Sequence, residues 1–73
     1  MSKFEIIIAS LPHKERPVAE IFYDNMYWVQ ISYETEDEDP IVEFYAHPYK
    51  KCWEFPIDEA LEVLEKAKTA LLN

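Results

Sequence analysis

Between Lys3 and Ala46 apolar and polar residues alternate with a period near two, and from Ile57 onward they recur at three and four, so the chain reads as short strands followed by a helix. Ile57, Ala60, Leu61, Leu64, Ala67 and Leu71 form one helical stripe, widened by Val63, Ala70 and Leu72. Asp58, Glu59, Glu62, Glu65, Lys66 and Thr69 fall opposite. Pro56 stands where a missing N–H costs little, acids crowd the first turns, and Lys66 and Lys68 lie later, which suits the helix dipole. The spacing predicts a helix over 57–73 that packs on a sheet.

The strands follow in order. Lys3 to Ala9 is rich in isoleucine, with Phe4, Ile6 and Ile8 on one face. Leu11 to Pro17 is a basic loop between two prolines. Val18 to Tyr23 and Met26 to Thr35 are strands joined by Asp24-Asn25, two residues that tolerate the positive φ of a tight hairpin. Ile41 to Ala46 is a fourth strand, and Cys52 to Phe55 a short fifth strand or an extended arm. The expected fold is α+β: an antiparallel meander of four to five strands, one domain over 1–73, with the C-terminal helix on one face.

Strict alternation then assigns the two faces. The helix should cover Phe4, Ile6, Ile8, Ala19, Ile21, Tyr27, Val29, Ile31, Val42, Phe44, Trp53 and Phe55. The other face should carry Glu5, Ile7, Glu20, Phe22, Trp28, Gln30, Ser32, Ile41, Glu43, Tyr45, Cys52 and Glu54. A merely solvated face would be polar throughout; this one interleaves large rings with carboxylates, the chemistry of a protein-binding surface.

Charge sharpens that reading. Fifteen acids against seven bases give a net charge of −8, which repels nucleic-acid phosphates and attracts basic proteins. Five of those acids fall in Glu34–Asp39, a self-repelling loop. With 49% hydrophobic and 15% aromatic residues the chain is no disordered acidic tail. The single Cys52 makes no internal disulfide, and no apolar run approaches a membrane span or a signal-peptide core, so a cytoplasmic protein without a membrane role is expected. Lys14–Arg16 and Lys50-Lys51 could together form a small positive patch.

Catalytic and metal chemistry find little footing. There is no glycine, so neither a P-loop nor a dinucleotide fingerprint can form, and no cofactor is implied. His13, His47 and Cys52 stand singly, without the paired spacing of zinc ligands. Cys52 with His47 lacks an orienting third group and reads as a half-buried strand residue. The acidic loop has neither the alternation nor the glycine of a calcium loop. A binding protein is expected, and not an enzyme.

In its charge, its acidic loop and its aromatic–acidic face the chain resembles the small immunity proteins with which bacteria neutralise toxins. The run Phe55-Pro56-Ile57-Asp58-Glu59-Ala60-Leu61-Glu62-Val63-Leu64 is similar to the segment that opens the helix of HicB-like antitoxins. The chain departs from the latter in having no glycine-containing loop after its second strand and no DNA-binding region after the helix. These resemblances imply an inhibitor that sequesters a basic protein, such as a toxin or a nucleic-acid-binding protein, in some cases by mimicking charge. The residues expected to meet that partner are Trp28, Phe22, Tyr45, Glu20, Glu43, Glu36, Asp37, Glu38 and Asp39. The competing expectation is a homodimer or larger homo-oligomer with a structural or accessory role, burying the same face against its copy.

Overall fold

A computed structural model describes residues 3–34 and 39–72. It is an α+β fold: strands β1 (Phe4–Ala9), β2 (Val18–Tyr23), β3 (Met26–Ser32) and β4 (Ile41–Phe44) form one antiparallel sheet in the order β1-β2-β3-β4, with helix α1 (Ile57–Leu72) packed on it. β3 and β4 are shorter than alternation suggested. Cys52–Phe55 is an extended arm and not a fifth strand.

The β2–β3 hairpin turns at Asp24 and Asn25, with φ of 51° and 67°. A two-residue turn that follows the twist of its strands needs positive φ at both positions. In a chain without glycine, Asp and Asn are the residues that accept it at least cost.

Beside this turn the alternation breaks. Ala19 pairs with Ile31, Glu20 with Gln30 and Ile21 with Val29, but Phe22 pairs with Tyr27. β3 therefore holds one extra residue, Trp28, in a β-bulge. Past the bulge the faces of β3 exchange. Trp28 is 5% exposed and meets Phe4, Phe55 and Phe44 at ring distances of 5.6, 4.9 and 6.1 Å. Tyr27 goes to the other face. Both were expected the other way round. Burying an indole of some 200 Å² is worth about 5 kcal/mol at ~25 cal/mol/Å², whereas a tyrosine can stay at a surface if its hydroxyl finds a partner, so the bulge follows the larger gain.

The core gathers Ala19, Ile21, Trp28, Val29 and Ile31 from the sheet and Val63, Ala67 and Leu71 from α1, with Phe4, Ile6, Tyr33, Trp53, Phe55, Ala60 and Leu64 around it. The buried helix stripe is thus rotated from the expected one, and Ile57 and Leu61 are 73% and 57% exposed. Ala19 and Ala67, both wholly buried, let α1 lie close over β2 and β1. A helix about 10 Å across can roof only about two strands spaced ~4.8 Å apart. Val42 and Phe44 on β4, expected beneath it, accordingly remain exposed, and so does Ile8, also expected there, near the end of β1.

The arm closes the far end of the sheet. His47 Nδ1 accepts from the amides of Tyr49 and Lys50, both at 3.0 Å, and its ring lies 4.5 Å from that of Trp53. The Trp53 indole donates to the Tyr45 carbonyl at 2.8 Å. Phe55 then packs among Phe4, Tyr23 and Trp28. His47 thus serves the turn, and Cys52, expected half-buried, is exposed.

Replacing Trp28 with alanine should cost about 3–5 kcal/mol in urea unfolding, whereas Leu61→Ser should stay within ~0.5 kcal/mol. The reverse ranking would return Trp28 to the surface.

Candidate functional site: the open face of the sheet

Cross-strand register arranges the face away from α1 into rows. Glu5 pairs with Phe22 and Phe22 with Tyr27, and the Tyr45 amide bonds to the Trp28 carbonyl just beyond β4. The rings of Phe22 and Tyr27 are 4.8 Å apart and those of Tyr27 and Tyr45 are 4.6 Å apart, tilted by 33° and 43°. They form a tiled aromatic row. The next row runs Ile7, Glu20, Gln30, Glu43. It sets one carboxylate on each side of an amide.

Tyr27 joins the rows. Its hydroxyl lies 2.9 Å from Glu20 Oε2 and 3.0 Å from Gln30 Oε1, and shares its single proton between these acceptors. Gln30 is buried between its long neighbours even on this face. Burial first, then the hydrogen bond and negative charge of Glu20, with smaller contributions from Tyr45, hold the Tyr27 phenol well above the usual tyrosine range. The phenol thereby stays a neutral donor that keeps Glu20 in place.

Of the residues expected at a partner surface, the structure brings Phe22, Tyr45, Glu20 and Glu43 together on this face. Trp28 is corrected: it lies in the core. Asp39 is exposed at the approach to β4, and Glu36, Asp37 and Glu38 lie outside the described residues. Tyr27, the centre of the row, was misassigned by alternation. The one sequence signal was the unbroken apolar run Met26-Tyr27-Trp28-Val29, where a period of two has no purchase.

The basic groups do not merge into one patch. His13, Lys14 and Arg16 line a concavity of about 400 Å³ with Tyr33 and Glu34, where Arg16 stacks 5.1 Å over the Tyr33 ring and donates to the Glu34 carbonyl at 3.2 Å. Lys50 lies at the hairpin end, in a concavity shared with Asp24, Met26 and Cys52. Among the described residues no three His, Cys, Asp or Glu side chains converge as a metal would require, and no helix is long and apolar enough to cross a membrane. No family model, curated protein or solved structure matches the chain.

Because the folded state holds the Tyr27 proton more tightly, its contribution to stability is whole below about pH 10 and declines as pH rises toward the folded value. Urea midpoints should fall above ~pH 10 in the wild type. Tyr27→Phe should flatten that decline, and one of the five tyrosines should ionise late by absorbance at 295 nm. An unchanged alkaline slope in the variant would remove Tyr27 from this role.

Proposed function

We propose that this is a small acidic binding protein that neutralises a basic protein partner, an inhibitor of the immunity or antitoxin kind, through the open face of its sheet. The observation that carries the reading is the pair of adjacent rows: Phe22, Tyr27 and Tyr45 beside Glu20, Gln30 and Glu43. An arginine side chain is recognised by those two chemistries together, because its guanidinium stacks flat on a ring and bonds a carboxylate at its edge. The net charge of −8 speeds encounter with a positive surface. The rings supply the short-range contact that slows dissociation. Glu20, held by Tyr27, needs little reordering when the partner arrives.

Capture on immobilised protein tests this. A basic partner should bind wild type at low salt and weaken as salt rises. A Tyr45→Ala/Glu43→Lys variant with an unchanged circular dichroism spectrum should lose at least ~10-fold in affinity. A variant that retains every partner would remove the open face as the binding surface. Light scattering at micromolar concentration should give a monomer; a stable dimer would favour the homo-oligomer instead.

A further inference from the structure

The outer strand β4 has spare hydrogen-bonding groups whose positions follow from one contact. The Tyr45 amide donates to the Trp28 carbonyl at 2.9 Å, in step with the pairs Glu43–Gln30 and Ile41–Ser32. Amides alternate in direction along an antiparallel strand. Those of Ile41 and Glu43 therefore turn to β3, and those of Val42 and Phe44 turn to the free edge. The side chains of the same two residues stand on the helix side, in register with Ile31 and Val29, and Phe44 is 62% exposed. Between β4 and α1 runs a groove of about 310 Å³, lined by Val42, Ile31 and Leu64 together with the charged Asp39, Glu65 and Lys68. Edge strands are ordinarily blunted by lysine, proline or a bulge. Pro40 stands just before the strand, but Ile41–Phe44 itself contains no lysine or proline, and its pairing with β3 is regular.

We propose that the free edge of β4 receives an extended, basic segment of a partner protein as a fifth strand. Its residue opposite Val42 would be apolar and enter the groove, and its residue opposite Phe44 would be apolar and cover that exposed ring. The residue opposite Glu43 would be lysine or arginine, facing the open side. Charge selects this occupant over a second copy. Two copies paired with Val42 opposite Phe44 would set Glu43 against Glu43, and each carries −8. The proposal rests on the proposed function for the sign of the partner's charge and shares Glu43 with it; its other contacts are backbone and helix-side, apart from the aromatic row.

Amide hydrogen exchange, read by NMR, tests it on the whole protein. In the free protein Glu43 and Tyr45 should be protected, and Val42 and Phe44 should exchange fast. A short peptide alternating valine with lysine and arginine should slow Val42 and Phe44 by about tenfold or more. A peptide alternating valine with glutamate should not, and Glu43→Lys should abolish the slowing. No slowing, or equal slowing by both peptides, overturns the proposal. So does protection of Val42 and Phe44 without peptide that is lost on dilution, which would assign the edge to a second copy. If the basic peptide shifts only Phe22, Tyr27 and Tyr45, the edge proposal fails while the open-face reading stands; if it slows Val42 and Phe44 while the Tyr45→Ala change leaves its affinity unaltered, the reverse holds.

Discussion

An indole left in water beside the rings of Phe4, Phe44 and Phe55 would forgo several kcal/mol of burial, and much of this sheet follows from avoiding that loss. The bulge that admits Trp28 inverts the residue before it. Tyr27 then stands between Phe22 and Tyr45 and reaches Glu20. Core and open face are therefore two sides of one register choice. A change that weakened the bulge would disturb both.

The narrowness of one helix shapes the remainder. With α1 seated over β1 and β2 through the small residues Ala19 and Ala67, the β4 side of the sheet keeps apolar side chains that no part of the described structure covers fully. A small domain tolerates this because its stability is concentrated in the aromatic cluster and the Val63–Ala67–Leu71 stripe. The arm contributes by carrying Trp53 and Phe55 to that cluster, moored by His47 and the Trp53 indole.

The fold was legible wherever a long stretch obeyed one period: the helix, the meander order and the Asp24-Asn25 turn could all be read from residue types. Legibility failed where several apolar residues adjoin. Met26 to Val29 offers no polar residue to mark a face, so alternation ran through the bulge and exchanged Tyr27 with Trp28. The helix stripe was misjudged by a fraction of a turn because Ala60, Leu61, Val63 and Leu64 permit two apolar faces, and the choice depends on the small residue across the interface. Of the candidate site, Phe22, Glu20, Glu43 and Tyr45 were within reach of the pattern. The hydroxyl that ties Tyr27 to Glu20 was not, since it depends on the bulged register between β2 and β3.

The helix that shelters β1 comes from far along the chain. Phe4 has the rings of Tyr23, Trp28 and Phe55 beside it, but the cover of β1 is complete only when Val63 and its neighbours arrive. The hairpins can close early because their partners are local. Without the helix the isoleucine-rich first strand keeps an apolar face in water, a sticky surface for an incomplete chain. A net charge of −8 sets copies of such a chain to repel one another while that surface is uncovered.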